Sequence, residues 1–301
     1  MTSPVQHPMY IDGQFVSWQG DSWIDVINPS TEECLSRIPD GDAEHAKRAI
    51  DAAERAQPAW EALPAIERAG WLRKIAAGIR ARAAEISQMI VAEGGKIQQL
   101  AEVEVGFTAD YIEYMAGWAH RYEGEILQSD RPGENIFVFK RALGVTTDIL
   151  PWNFPFFLIA RKLAPALITG NTIVIKPSEF TPNNAIAFAE IVHEIGLPKG
   201  VFNLVLGRGE TVGQELAGNP KVAMVSMTGS VAAGEKIMAA AAKNITHFGL
   251  ELGGKAPAIV MGDADLALAV TAIVHSSVTN TRPVCNCAER RYVPDGCRQS
   301  H

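Results

Sequence analysis

The sequence of 301 residues predicts an α/β fold in which a mainly parallel sheet follows a leading layer of helices. From Gly144 onward, short apolar runs alternate with helical stretches of about ten to fifteen residues, a pattern typical of crossover units. Before that point, Ala, Leu, Ile and Met recur at helical spacing over three long stretches. With 47% apolar and 20% charged residues, the chain can bury a large core, and we expect more than one domain.

The first third of the chain predicts a hairpin and three helices. Asp12-Gly13 stands between apolar residues, which is a strong hairpin signal. Pro64 suits the first turn of a helix, and Gly94-Gly95 is a stop signal. The helices are expected from Asp42 to about Trp60, from Pro64 to about Glu93 and from about Gln98 to Tyr122. A turn at Arg131 to Gly133 then leads to a strand, Asn135 to Arg141.

The parallel sheet is predicted from five apolar runs and the helical stretches between them. The strands are Val145 to Leu150, Thr172 to Lys176, Val201 to Leu206, Val222 to Met227 and Thr246 to Leu250. The helices fall at about 156–168, 183–195, 210–217 and 232–243. A further strand, Ala256 to Met261, and a helix capped by Asp263 lead to the cysteine-containing segment.

Charge and cysteine content exclude several classes of function. The formal net charge of -7 and the absence of Lys and Arg clusters argue against a nucleic-acid or anionic-membrane partner. The chain shows neither a secretory leader pattern nor an apolar run long enough to span a bilayer, so we expect a cytoplasmic protein. Cys285 and Cys287 have no second ligand pair at zinc spacing, and no metal site is predicted.

Three residues suit covalent chemistry on a carbonyl group. Glu251 lies at a glycine-flanked strand end and Cys285 beyond the next helix, as a general base and a nucleophile require. Asn153 sits in the stiff loop Pro151 to Pro155, where an amide can donate to an oxyanion. The alternative for Asn153 is a loop anchor that bonds backbone groups.

Two glycine-rich turns favour a nucleotide. Gly207, Gly209 and Gly213 follow a predicted strand and open a helix, although their spacing is one residue longer than the usual dinucleotide pattern and a plain tight turn is an equal alternative. Gly229-Ser230 repeats the arrangement at the next strand end. Two such turns on one sheet edge are what phosphate binding needs.

A charged pair follows another strand of the same sheet. Lys176, Ser178 and Glu179 should emerge at the carboxyl end of the run from Thr172, where open α/β sheets bind ligands. Such side chains could hold ribose hydroxyls. A solvated surface pair is the alternative.

Together these motifs resemble the aldehyde dehydrogenase superfamily, from Met9 to about Val293. The resemblance rests on four segments in the family's order, and the wording of Val284 to Arg290 is most similar to the branch that oxidises small hydroxyaldehydes such as lactaldehyde and glycolaldehyde. The four segments are Pro151 to Pro155, Lys176 to Glu179, Thr228 to Ser230 and Leu250 to Lys255.

The resemblance implies a role for each of these residues. Cys285 would attack the aldehyde, Asn153 and the Cys285 backbone N–H would hold the oxyanion, and Glu251 would activate the water that hydrolyses the thioester. NAD would be the cofactor, because the Glu179 carboxylate would repel the extra phosphate of NADP. The residues expected to bind it are Trp152, Lys176, Ser178, Glu179, Gly209, Gly213, Gly229 and Ser230.

The resemblance also implies a domain organisation. Residues 1–250 would form a Rossmann-like NAD-binding domain with an oligomerisation-type β segment at about 123–143, and residues 251–301 would begin an incomplete α/β catalytic domain. Relatives are expected to continue for a further third or more of their length. Arg282 and Pro283 replace the glycine and glutamine that the family carries before the nucleophile, which predicts an altered nucleophile loop.

Three functions therefore stay open on the sequence alone. The first is NAD-dependent oxidation of small aldehydes to carboxylates through a thioester. The second is a fragment that retains NAD binding without turnover. The third is an interaction module that pairs with an intact relative through the Asn135 to Arg141 strand.

Overall fold

The computed structural model describes residues 4–281 and 284–294. Its strands, in chain order, are β1 (Val5–Gln6), β2 (Met9–Ile11), β3 (Gln14–Val16), β4 (Trp23–Ile27), β5 (Cys34–Pro39), β6 (Glu125–Gln128), β7 (Asn135–Val138), β8 (Val145–Ile149), β9 (Thr172–Lys176), β10 (Phe202–Leu204), β11 (Val222–Gly229), β12 (His247–Leu252), β13 (Ala256–Ile259) and β14 (Ala288–Tyr292). The α-helices are α1 (Ala43–Ala62), α2 (Ala65–Ala81), α3 (Ala83–Gly94), α4 (Gln98–Ala116), α5 (Pro155–Ile168), α6 (Asn183–Glu194), α7 (Gln214–Gly218), α8 (Val231–Ala242) and α9 (Leu266–Val278).

The central sheet has the strand order β12-β11-β8-β9-β10-β2-β3. From β12 to β10 all neighbours are parallel, and the β2–β3 hairpin adds an antiparallel edge. Its inner strands β8 and β9 are buried on both faces, as expected for parallel strands that helices cover. The α/β fold class is thereby confirmed. At the hairpin turn, Asp12 and Gly13 both adopt positive φ, as a type I′ turn requires.

Two sets of helices cover the two faces of this sheet. On one face the Thr172 hydroxyl donates to the Ala53 carbonyl of α1, and the Thr147 hydroxyl donates to the Leu216 carbonyl of α7. On the other face lie α5 and α6, joined by an edge-to-face contact between Phe156 and Phe188. Behind them lie α2, α3 and α4, which come from the second and third predicted leading helices. The first predicted leading helix, α1, packs on the opposite face of the sheet, so the leading helices do not form a single layer as expected.

The leading helices also differ from the prediction in their number. The single helix expected from Pro64 to about Glu93 is two helices, α2 and α3, separated at Arg82 with φ −109° and ψ 17°. The Arg82 guanidinium bonds Glu85 within α3 and Glu190 on α6, both at 2.7 Å. We attribute the break to this long-range ion pair, which the local pattern does not encode.

Three strands near the start of the chain were not predicted. β1, β5 and β4 form a separate small sheet in that order. They are short and their burial does not alternate cleanly, so the period-two signal is weak.

The last described part of the chain forms a small unit of its own. β13 and β14 pair in parallel, and α9 connects them. The cap of α9 is Asp265, which accepts from the N–H groups of Ala267 and Leu268, and not Asp263 as expected. β12 also runs unbroken past Gly249, although a glycine weakens a strand interior. A Cβ at Gly249 would lie 3.1 Å from the Met224 methyl, so the glycine relieves crowding between two strands.

A hairpin of β6 and β7 projects from the body within the β segment predicted at about 123–143. Every residue of both strands is exposed, including the apolar Ile126 and Phe137. Across the described ranges, the helices lack the combination of length and apolar character that crossing a bilayer demands.

Candidate active site

Lys176 lies at the carboxyl end of β9, as the sequence predicts. It is only 2% exposed, and its ammonium donates to the Pro177 carbonyl at 2.9 Å and to the Glu179 carboxylate at 3.4 Å. Burial lowers the pKa of Lys176, and the nearby Glu179 and Glu210 carboxylates oppose that shift. Ser178 is buried beside the pair, where its hydroxyl accepts from the Phe180 N–H.

The turn from Gly207 to Gly213 packs against Lys176. Gly209–Gly213 forms one π-helical turn that leads into α7, where we expected a single helix at 210–217. Gly207 has φ +140°, and a Cβ there would lie 2.8 Å from the Gly41 nitrogen, so only glycine fits. Gly213 faces Ile149 and the Lys176 stem, with a Cβ position 3.6 and 4.0 Å from them.

The second glycine turn ends β11. Ser230 is the N-cap of α8, and its hydroxyl accepts from the Ala233 N–H at 3.2 Å. Gly229 sits directly before it, close to the Met227 side chain. With β9 and β11 parallel, this turn and Lys176 lie on the same edge of the sheet. A buried cation, a tight glycine turn and an open helix N-terminus there fit a phosphate-containing ligand.

Asn153 lies in the loop between β8 and α5. Its backbone carbonyl accepts from the Lys96 ammonium at 2.9 Å and from the Asn280 side-chain amide at 3.0 Å. Its side-chain oxygen accepts from the Phe154 N–H at 3.0 Å. Trp152, next to it, is 46% exposed. The loop is therefore fixed from two directions while Trp152 faces outward.

The sequence reasoning missed the ion pair that holds this loop. Lys96 and Glu104 form a buried salt bridge, and Lys96 also lies 4.0 Å over the Phe154 ring. The second Glu104 oxygen accepts from the N–H groups of Phe156 and Phe157, in the first turn of α5. Burial lowers the pKa of Lys96, while the Glu104 charge opposes it. The local pattern contains no signal that links residues of α4 with a loop so much later in the chain.

Glu251 lies on β12 and is half exposed, with the Arg161 guanidinium of α5 at 3.6 Å. Just past this strand, Gly254 packs against the chain at Cys285. A Cβ on Gly254 would lie 2.8 Å from the Cys285 carbonyl oxygen, so the absence of a side chain permits this approach. The segments that carry Glu251 and Cys285 thus meet through their backbones.

Cys285 is exposed, in a turn closed by the bond from the Cys287 N–H to the Val284 carbonyl. Cys287 is buried and its thiol donates to Glu289 at 3.6 Å, in keeping with a structural role. Cys34 is partly buried and bonds the Ser36 carbonyl. Arg282, Pro283 and Cys297 lie outside the described residues.

The segments that carry Asn153, Glu251 and Cys285 are linked to one another. In the described ranges, however, no bond is seen that joins two of these three residues directly. Asn280, with φ +53°, links the Asn153 loop to the chain leading to Cys285. Beside it lies a cleft of about 10 Å³, room for one water, whose lining includes Trp152, Asn153 and Asn280. Among the described residues that line it, neither Glu251 nor Cys285 appears. Their convergence around one substrate stays a prediction.

Within the part of the chain that the structure describes, no group of three or more His, Cys, Asp or Glu side chains could hold a metal ion. The arrangement consists instead of an exposed thiol, a half-exposed carboxylate and an anchored amide, beside a nucleotide-type sheet edge. Chemically it suits covalent capture of a carbonyl group.

These features define a class of protein that combines a nucleotide-type sheet edge with a thiol for covalent chemistry on a carbonyl group. Comparison with known proteins identifies the family. The chain matches the aldehyde dehydrogenase family over residues 15–300 and belongs to that family, as the motifs indicated.

Among curated relatives, it is 82% identical over 296 residues to lactaldehyde dehydrogenase of Escherichia coli (strain K12), covering 98% of this chain and 62% of that protein. It is 45% identical over 288 residues to 3,6-anhydro-alpha-L-galactose dehydrogenase of Vibrio sp. (strain EJY3), covering 96% and 60%.

Solved structures give the same result. A lactaldehyde dehydrogenase structure superposes with a TM-score of 0.97 at 83% identity, covering 97% of this chain and 61% of that one. A betaine aldehyde dehydrogenase point mutant from Staphylococcus aureus, in complex with NAD⁺, gives a TM-score of 0.95 at 35% identity, covering 98% and 59%. The chain thus spans roughly three fifths of the length of these relatives.

Proposed function

We propose that this chain carries the cofactor-binding layer and the nucleophile of an NAD-dependent enzyme that oxidises small aldehydes to carboxylic acids. Hydroxyaldehydes such as lactaldehyde are the proposed substrates, by analogy with the relative at 82% identity. The observation that carries the proposal is the anchored Asn153 loop, which a bond from Asn280 ties to the segment of the exposed Cys285 thiol.

NAD is the proposed cofactor because the sheet edge offers the groups it needs. The Lys176–Glu179 pair would hold the adenosine ribose, and the Ser230 turn would receive the pyrophosphate at the start of α8. The glycines of that edge allow close backbone approach. The further proposed contacts are Trp152, Ser178, Gly209, Gly213 and Gly229. When bound, NAD would supply the hydride acceptor. The Glu179 carboxylate would disfavour the added phosphate of NADP.

The chain's own residues would carry out the remaining steps. The Cys285 thiolate would add to the aldehyde carbonyl, and the Asn153 amide with the Cys285 N–H would stabilise the oxyanion of the thiohemiacetal. After oxidation to the thioester, Glu251 would take a proton from water, which attacks the acyl carbon and releases the Cys285 thiolate and the acid. Its half-exposed position on β12 allows both water access and return of the proton to solvent.

Turnover is tested by NADH formation with lactaldehyde and glycolaldehyde, compared with Cys285→Ala. The proposal requires a rate above this control. A polypeptide spanning three fifths of its relatives could instead bind NAD without turnover, which is the second function considered. Calorimetry with NAD distinguishes the enzyme from the binding fragment. NAD binding without NADH formation supports the fragment, whereas the absence of both NAD binding and NADH formation would refute the proposed nucleotide site.

We also propose residues 1–250 as the NAD-binding domain and residues 251–301 as the start of the catalytic domain. The exposed apolar hairpin of β6 and β7 supports a contact with a second copy or an intact relative, because unpaired strand edges accept further strands. Size-exclusion chromatography tests this contact. Elution as a monomer, both alone and in the presence of an intact homologue, would exclude this contact.

A further inference from the structure

A cavity of about 400 Å³ lies on the far side of the molecule from the candidate active site. It is enclosed by the end of α1, the first turn of α2, the end of α5 and the linker between β7 and β8. Thr169, which lines it, follows α5, whereas Asn153 precedes that helix, and 14 helical residues span about 21 Å. Since β8 and β9 are parallel and both begin just beyond these lining segments, the cavity lies at the sheet edge opposite the proposed nucleotide site.

One wall of the cavity holds a buried cation, Arg68, which is only 5% exposed. Its Nε donates to the Ile168 carbonyl at 3.0 Å, and its Nη1 donates to the carbonyls of Glu61 and Leu63. Among the described residues, none accepts from Nη2, and this nitrogen is not one of the sealed polar atoms. Two N–H groups of a firmly held guanidinium are therefore available at the cavity that Arg68 lines.

The linker between β7 and β8 supplies two more cations on the other wall. The Lys140 ammonium lies 5.6 Å from the centre of the Tyr122 ring, and no carboxylate in the described part of the chain forms an ion pair with it. Arg141 donates through Nε to Glu61 at 2.7 Å, while its two terminal nitrogens have no acceptor within the described ranges. The linker thus offers donors that its own neighbours leave unused.

Glu61 is the one carboxylate among the described lining residues, and its oxygens are already engaged. They accept from Arg141 at 2.7 Å, from the Gln57 amide at 3.1 Å and from the Ala142 N–H at 3.2 Å. The hydrogen bond from Arg141 lowers the pKa of Glu61 to about 2, so the carboxylate stays ionised. With three cations against one carboxylate, the lining carries an excess of two positive charges.

We propose that this cavity binds a small organic dianion through its carboxylate or phosphate oxygens, with Arg68 on one wall and Lys140 on the other. A planar guanidinium with two free N–H groups suits an oxyanion, and the cavity volume is in the range of small-molecule sites. The bound anion ties the linker at Lys140 and Arg141 to the helices α1 and α2. This binding does not depend on the proposed aldehyde chemistry or on NAD.

Isothermal titration calorimetry of the full chain with two probes of equal charge tests the proposal. Succinate and glycerol 3-phosphate are both dianions at pH 8, and each is titrated at constant ionic strength. We expect saturable binding of one anion per chain. Binding of succinate alone assigns the site to carboxylates, and binding of glycerol 3-phosphate alone assigns it to phosphates. If neither binds beyond a sodium chloride blank, the proposal is overturned.

Variants of Lys140 locate the bound anion. Lys140→Gln should weaken binding about fivefold, as the loss of one exposed charge contact predicts, and Lys140→Glu should abolish it. Arg68→Gln should also abolish binding, but Arg68 holds three carbonyls, so the exposed Lys140 decides the outcome if that variant does not fold. The matched control is Lys243→Gln, an exposed lysine at the end of α8 that does not line the cavity. Unchanged affinity in both Lys140 variants would place the anion elsewhere, for example at the nucleotide edge, and would refute this site.

Limited digestion with trypsin reports on the linker itself. Lys140 and Arg141 are exposed, so trypsin should cut after them in the free chain, and the bound dianion should slow this cleavage several-fold. Cleavage after Lys243 in the same digest serves as the internal control and should keep its rate. Equal slowing at both places, or protection that persists in Lys140→Glu, would contradict an anion held between the linker and Arg68.

Discussion

Replacing Asp148 by Asn should stabilise the protein above neutral pH and change little in acid. Asn keeps the size of the side chain and removes a charge that burial disfavours. In the folded chain the pKa of Asp148 is about 7, against 3.8 for an ordinary aspartate. A folded-state pKa raised in this way means that the folded chain keeps a proton that the unfolded chain has already lost.

The sign and size follow from proton linkage. Between the two pKa values the folded state binds more protons, so stability falls as pH rises and levels off above the folded value. A separation of about three units corresponds to about 4 kcal/mol in total, of which about 3 kcal/mol falls between pH 5 and pH 8. Since the Asn side chain does not titrate, the wild-type chain alone should lose this amount.

Urea denaturation at pH 5, 6, 7 and 8 measures the free energy of unfolding of both proteins. Burial also raises the pKa of Glu93 to about 7, so both proteins should lose some stability with pH. The difference between the two curves isolates Asp148, because Glu93 contributes to both alike. A difference that stays constant within about 0.5 kcal/mol across this range would refute the assignment of a buried, titrating carboxyl at this position.

Three further predictions concern the site and its supports. Thiol labelling of the native chain should show a fast phase that Cys285→Ser removes, since Cys285 is exposed; survival of that phase would place the reactive thiol elsewhere. Glu104→Gln should cost about 3 to 5 kcal/mol in urea denaturation, because it leaves the buried Lys96 ammonium unpaired, and a loss below 1 kcal/mol would contradict this. Gly207→Ala should lower the melting temperature whereas Gly209→Ala, which meets open space, should not; equal effects would argue against backbone crowding at Gly207.

The parallel sheet was predictable because its signal is local. The runs from Thr172 and Val222 are mainly apolar segments bounded by turns, and their strands begin where expected. The glycine turns were placed correctly for the same reason, since one lies shortly after β10 and the other at the end of β11. Residue positions along the chain are enough to assign them to one sheet edge.

Contacts between distant segments could not be predicted in this way. The Lys96–Glu104 pair, the break at Arg82 and the burial of Asp148 all depend on which helix packs on which face. Asp148 in particular lies within a predicted strand, and the local pattern indicates only that a charged residue interrupts it. Its position opposite Ser226 arises from the β8–β11 register, which no local pattern specifies.

One carboxylate, Glu104, touches three separate parts of the molecule: its own helix α4, the first turn of α5 and, through Lys96, the loop at Asn153. A substitution that shifts α4 by even a fraction of an ångström would therefore also displace the Asn153 amide, which is proposed to hold the oxyanion. Screens for altered aldehyde oxidation should accordingly recover changes in this distant helix, where inspection of the catalytic groups alone would never look.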